Sequence, residues 1–307
     1  MLTSSRNCMQ RRRPSLTPGL IALSIAAALA SCATRPANDT AASPMLPAAT
    51  TPAPAPAVAE AVPEIRPGVL AGYLGRDLPN SLKLLPAPPK DGSAAFRQDQ
   101  AVSRASQKLR TTARGTQATS DADLAFPHVA SAFACALGVP VSQEGSPRLY
   151  QLLRRTMTDA GLATYAAKDH YKRTRPFVFY KEDTCAPKDE AALRNDGSYP
   201  SGHTSIGWMW ALVLTQVAPD RADALLARGR SFGESRLVCN AHWQSDILAG
   251  RTIASGTFAK LQTNATFQAD VVAATQEVQS MRASAQAPGV DCDAEAAALA
   301  IPIDGVL

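Results

Sequence analysis

Several common chemistries find no foothold in this sequence. Histidines number four in 307 residues and aromatic residues make up 6%, so each histidine has to be accounted for. There is no Gly-rich phosphate loop and no H-E-x-x-H helix, which removes the usual nucleotide-binding and zinc-protease signatures. No C-x-x-C pair occurs, so the cysteines do not read as a zinc site. No apolar run reaches the ~20 residues that a helix needs to cross a bilayer. Cations are also scarcer than the formal charge of +5 implies. Arg6, Arg11, Arg12 and Arg13 fall within the first 31 residues, and with those four set aside the remainder carries +1. A protein held to nucleic acid by many phosphate contacts needs a dense basic stripe. None is present, and nucleic acid is not an expected partner.

The N-terminus carries export features. Residues 1–31 contain a basic stretch and then the short apolar run Gly19 to Ala30, with no Asp or Glu. This predicts a signal peptide rather than a membrane span. Leu29-Ala30-Ser31-Cys32 has the form of a lipobox, which makes Cys32 the expected lipidation site, although an ordinary signal with an incidental cysteine fits the same residues. Ala33 after the cysteine points to the outer membrane, so the expected location is the periplasm, tethered to that membrane. Residues 32–67 carry eight prolines among Ala and Thr and read as an extended tether that buries too little to fold. With Cys8 in the signal and Cys32 lipidated, Cys135, Cys185, Cys239 and Cys292 remain. An even number suits an oxidising compartment, and the sequence leaves all three full pairings open.

The body, 68–285, has mostly a helical period. Ser93 caps a predicted helix through Phe96, Val102 and Leu109. Ser146-Pro147 starts another with Leu149, Leu152, Leu153 and Met157 on one face. Thr204 to Val217 is apolar nearly all round and predicts a central buried helix. Ala222 to Val238 and Ile247 to Leu261 predict two more. Alternating strands are scarce, so the expected fold is all-α, a single helical-bundle domain, followed by a C-terminal tail, 286–307.

Three segments could carry chemistry. Lys168 and Arg175 are seven apart, two helical turns, so one helix face could present both cations to one anion; a solvated basic face has the same pattern. Ser201-Gly202-His203 precedes the buried helix, where free N–H groups and the helix dipole favour an anion; a plain Ser cap after a proline turn also fits. His242 and Asp246 are spaced i, i+4, so on a helix the carboxylate could fix one ring nitrogen and free the other. Arg236 lies six residues before His242. Each segment alone also admits a structural reading.

Together, in the order K-x6-R-P, P-S-G-H and S-R-x5-H-x3-D, they resemble the signature of the type 2 phosphatidic acid phosphatase and vanadium haloperoxidase superfamily. Arg154 to Tyr165, Arg173-Thr-Arg-Pro-Phe177, Asp196-Gly-Ser-Tyr-Pro-Ser-Gly-His203 and His242-Trp-Gln-Ser-Asp246 narrow the likeness to bacterial class A nonspecific acid phosphatases. It extends from about Leu84 to about residue 270. The resemblance implies an all-α domain of that superfamily's type that hydrolyses phosphomonoesters at acidic pH without metal or other cofactor, usually as a homo-oligomer. It further implies that His242 forms a phosphohistidine, Asp246 orients it, and His203 handles the leaving-group proton. Lys168, Arg175, Ser201, Gly202 and Arg236 would hold the phosphate oxygens. Phosphotransfer to other alcohols is an expected side reaction. A lipid or diphosphate phosphatase and a vanadate-dependent haloperoxidase would use the same pocket. His128 and His170 lie outside the pattern and are expected to be structural or exposed.

Overall fold

The structure is a computed structural model that describes residues 62–306. Cys8, Cys32, the signal peptide and nearly all of the tether lie outside the described residues. The described chain begins with a small antiparallel hairpin, β1 (Glu64–Arg66) and β2 (Val69–Leu70). Gly68 turns it with φ +78° and donates its N–H to Glu64 Oε2 at 3.0 Å. β1 falls inside the stretch expected to be tether. It is fixed to the body because Thr158 donates to Leu70 O (2.8 Å) and Arg154 donates to Gly68 O (2.8 Å).

Thirteen α-helices follow among the described residues: α1 (Ser81–Leu84), α2 (Ala94–Gln107), α3 (Ala113–Ser120), α4 (Ala134–Leu137), α5 (Pro147–Leu162), α6 (Tyr165–Tyr171) and α7 (Pro176–Tyr180) come first. Then come α8 (Glu190–Asn195), α9 (Gly202–Val217), α10 (Ala222–Val238), α11 (Gln244–Leu261), α12 (Ala265–Ala283) and α13 (Cys292–Leu299). The all-α expectation therefore holds apart from the hairpin. Ser93 caps α2 as expected, accepting from Phe96 N at 3.1 Å, but the helix ends at Gln107, short of Leu109. Ser146 precedes Pro147 as expected, yet its hydroxyl bonds Ser142 rather than capping α5.

The apolar run of α9 makes it the hub, packed by α5, α10, α11 and α12. Met209, Trp210, Val213 and Leu214 of α9 meet Leu149, Leu152 and Leu153 of α5 and Phe232 of α10 in one core. Each such side chain contributes roughly 1.5–3 kcal/mol by leaving water, and the Trp210 indole is satisfied by Leu153 O at 3.0 Å. The α9–α10 approach depends on Gly207, where a Cβ would stand 2.4 Å from the Phe232 ring. No described helix is long and apolar enough to cross a membrane.

The four body cysteines form two disulfides, Cys135–Cys292 and Cys185–Cys239. The first joins α4 to the start of α13. The expected tail is thus bound to the domain, and α13 packs on α3.

Candidate active site

Two helix starts build the site, and they are locked together. Ser201 caps α9, accepting from Thr204 N at 3.2 Å and from Thr204 Oγ1 at 2.9 Å. Its own hydroxyl hydrogen is then left to donate elsewhere. Ser201 N–H donates to Asp246 O (3.0 Å) in the first turn of α11. The two helices can meet there because residue 250 is glycine; a Cβ would lie 2.7 Å from Ser201 O.

Lys168 and Arg175 do not share a helix face, contrary to the spacing argument. α6 stops at Tyr171, Lys172 turns left-handed with φ 41°, and Arg175 is the extended residue before Pro176. A proline disfavours helical backbone in the residue before it, which keeps Arg175 extended. The two cations still converge, on Asp196. Its Oδ2 accepts from Lys168 Nζ at 3.1 Å and from Arg175 Nη2 at 2.9 Å. Lys168 Nζ also donates to Gly197 O at 2.5 Å.

His242 is likewise not on the helix that holds Asp246. α11 begins at Gln244, and Asp246 accepts the Trp243 N–H at 2.8 Å, so it caps the helix. Even so, His242 Nδ1 lies 3.4 Å from Asp246 Oδ2, and Ser198 Oγ bonds the same carboxylate oxygen. On the other side of the ring, Arg175 Nη1 donates to Nε2 at 2.9 Å. That donation requires a lone pair on Nε2 and places the ring proton on Nδ1, facing the carboxylate. Burial, then the charges of Arg175 and Lys168, push the His242 pKa well below the usual histidine value. Burial, then Arg236, do the same to His203. Both shifts favour the neutral ring.

His203 occupies the first turn of α9 and donates Nε2–H to Ala122 O at 2.9 Å, which leaves Nδ1 for proton exchange. Arg236, near the end of α10, is 1% exposed, and its Nε and Nη1 are buried with no partner among the described residues. Burial, then Arg175, lower its pKa to about 9.

A cavity of about 940 Å³ opens onto this cluster, lined by Lys168, Arg175, Gly202, His203, His242 and Asp196. Of the expected residues, Ser201, Arg236 and Asp246 do not themselves line it, but Ser201 adjoins Gly202 and the Arg236 charge is felt by His203 and Arg175, which do. A methyl group on residue 202 would stand 3.9 Å from Lys168 Cε, between the helix start and the ammonium. His128 and His170 are exposed, as expected.

The PAP2 superfamily profile matches residues 152–268, the span that contains every expected catalytic and phosphate-binding residue. The non-specific acid phosphatase of Providencia stuartii is 47% identical over 204 residues, 66% of this chain and 82% of that protein. The chain belongs to the class A nonspecific acid phosphatases. The non-specific acid phosphatase of Salmonella typhimurium is 40% identical over 200 residues (65% of this chain, 80% of the relative). The acid phosphatase of Zymomonas mobilis is 40% identical over 207 residues (67% and 78%).

For an acid phosphatase, the sequence reading passed over four supporting groups. Arg173 donates to Asp246 Oδ1 at 2.6 Å and to Asp99 Oδ2 at 2.8 Å, and Asp99 also accepts the Ser245 N–H at 2.8 Å. Ser198 holds the Asp246 carboxylate, and Asp196 the two cations. Arg173, Asp196 and Ser198 stand inside the motif segments and were within reach. Asp99 comes from α2 and carries no local signal. A G-x-S-x-G string, expected to be absent from the sequence, is in fact present as Gly229-Arg230-Ser231-Phe232-Gly233, the spacing of a nucleophile elbow. It lies inside α10 with Ser231 Oγ donating to Ala227 O, and no strand-to-helix turn exists there to expose the serine.

Proposed function

We propose that this phosphatase hydrolyses phosphate monoesters at acidic pH in two displacements through a phosphohistidine at His242, without a metal. The observation that carries the reading is the His242 ring: Nδ1 faces Asp246 while the Nε2 lone pair points at an Arg175 donor. In the first step Nε2 attacks phosphorus, the P–O bond to the alcohol breaks, and His203 gives its Nδ1 proton to the leaving oxygen. In the second step His203 takes a proton from water, the water oxygen attacks phosphorus, and the N–P bond breaks. Lys168, Arg175 and Arg236, with Ser201 and the Gly202 N–H, hold the three equatorial oxygens, the positioning and charge compensation that phosphoryl transfer requires. A bound phosphate dianion opposes the depressing effect of Arg236 on His203, so His203 acquires its proton with the substrate. Alcohols that replace water in the second step give phosphotransfer.

Turnover of p-nitrophenyl phosphate by the purified mature domain tests the reading. Activity is expected to survive EDTA and to be blocked by vanadate. Loss on chelation, restored by a divalent ion, would overturn the metal-free step.

Lys168 sets the alkaline limit. Burial, then Arg175, lower its pKa to about 8, and the Asp196 carboxylate acts against both. Only the ammonium binds phosphate, so kcat/KM in the free enzyme should fall as pH rises through about 8. Removing the charge in Asp196→Asn withdraws the group that raises this pKa, and the alkaline limb should move to lower pH. A kcat/KM–pH profile of both proteins checks the direction; a limb that moves up or stays would reject the assignment.

We further propose the periplasm as the compartment, with a lipid anchor on Cys32 to the outer membrane and a homo-oligomeric body. The lipobox and the even set of body cysteines support the compartment and the anchor, and the family resemblance supports the oligomer. Cys32→Ala is expected to shift the protein from the membrane to the soluble fraction with unchanged turnover. An unchanged membrane fraction would point to another anchor.

A further inference from the structure

We propose that Asp121, at the end of α3 and outside the signature motifs, is a positioning residue that sets both His203 and Arg236. The inference rests on the roles proposed above for those two groups. Asp121 is 2% exposed and forms the centre of a buried polar knot. Its Oδ1 accepts from Arg228 Nη2 at 2.5 Å and from Gln117 Nε2 at 3.0 Å. Its Oδ2 accepts from Arg228 Nη1 at 3.2 Å and from Ser235 Oγ at 2.5 Å. Arg114 closes the knot by donating to Ser235 Oγ and Ser231 O, both at 2.9 Å.

Two short covalent paths lead from this carboxylate to the site. The next residue along the chain, Ala122, supplies the carbonyl that accepts His203 Nε2–H. That bond selects the tautomer and the ring orientation that leave Nδ1 facing the leaving group, so a shift at Asp121 carried through Ala122 to the 122–123 peptide, which holds this carbonyl, turns the ring. On α10, Ser235 immediately precedes Arg236, whose Nε and Nη1 have no partner among the described residues to orient them. The bond from Ser235 to Asp121 fixes the rotation of α10 about its axis at that point. A knot with every member satisfied rigidifies what it touches. The same knot reaches the C-terminal helix, because Arg228 Nε also meets Glu295 Oε2 of α13 at 3.3 Å.

The test is Asp121→Asn, read as a ratio. His203 protonates the leaving oxygen, so its misplacement matters for an alkyl phosphate and little for p-nitrophenyl phosphate, whose phenolate leaves unaided. The expected result is a fall in kcat/KM at least tenfold greater for the alkyl ester than for the activated one. A rise in the inhibition constant for inorganic phosphate, through Arg236, should accompany it. A purely structural role would lower the melting temperature and leave the ratio in place, and that outcome overturns the proposal. Because Asp121→Asn leaves Arg228 with Glu295 as its remaining carboxylate and so weakens the fold, the double variant Asp121→Asn/Arg228→Met removes both charges and is read the same way. Glu295→Gln, which breaks only the link to α13, should leave the ratio unchanged. His203→Ala is the reference: if it has no leaving-group dependence, the acid role assigned to His203 fails and not the role of Asp121.

Discussion

His242→Ala is expected to abolish both turnover and the phosphoenzyme. Removing a nucleophile removes the covalent pathway, and in other covalent enzymes this costs on the order of 10⁶-fold in kcat, or about 8 kcal/mol of barrier. The fold should survive, because Arg175 Nη1 retains Ala241 O at 3.0 Å when the ring is gone, and its other nitrogens keep Asp196. His203→Ala should behave differently. General acid help is worth ~10²–10⁴-fold, so that variant should still take up phosphate from an ester with a good leaving group and then release it slowly. Asp246→Asn should fall between the two. It keeps a cap on the Trp243 N–H through its amide oxygen but loses the charge that Arg173 and the forming imidazolium both need. Rapid quench with labelled substrate, followed by mapping of an acid-labile, alkali-stable adduct, separates the cases. A label on His203, or labelling that persists in His242→Ala, would reverse the two roles.

Both histidines were singled out by the order of three motifs that resembles the family signature, since each segment alone also admitted a structural reading. Ser201, Gly202 and His203 sit at one helix start, and a cap followed by an apolar run is a local signal. Thr204 to Val217 and Ala222 to Val238 were equally legible, since one apolar run and one amphipathic period suffice. The geometry that linked the pieces was not legible. Lys168 and Arg175 were placed on one helix face by spacing, whereas the helix ends at Tyr171 and the meeting point is the Asp196 carboxylate. His242 and Asp246 were placed a helical turn apart on one face, whereas Asp246 caps the helix that His242 precedes. Groups that act across the fold left no trace in the chain order. Asp99 meets Arg173 from 74 residues away, and Asp121 meets Ser235 from 114. Such partners share neither a period nor a motif, and only packing brings them together.

Arg236→Met should destroy activity and stabilise the protein. The guanidinium is 1% exposed, two of its nitrogens have no partner among the described residues, and burial, then Arg175, lower its pKa to about 9. A buried charge without a counter-ion is a cost to the folded state, and an apolar side chain of similar length lifts it. For a body of this size each kcal/mol recovered raises the melting temperature by about 2–4 °C. The same lack of a partner is what an arriving phosphate repairs. A cation that meets its anion only in the loaded site can stabilise the transition state without reorganisation, and such arginines are worth ~10³–10⁵-fold in phosphoryl transfer. Inorganic phosphate should therefore stabilise the wild-type enzyme, by about 2.7 kcal/mol at a hundred times its Kd, and stabilise Arg236→Met far less. Thermal melts with and without phosphate, set beside kcat/KM, decide the matter. A lower melting temperature in the variant, with the phosphate effect retained, would mean that Arg236 is held by the fold and not kept for the substrate.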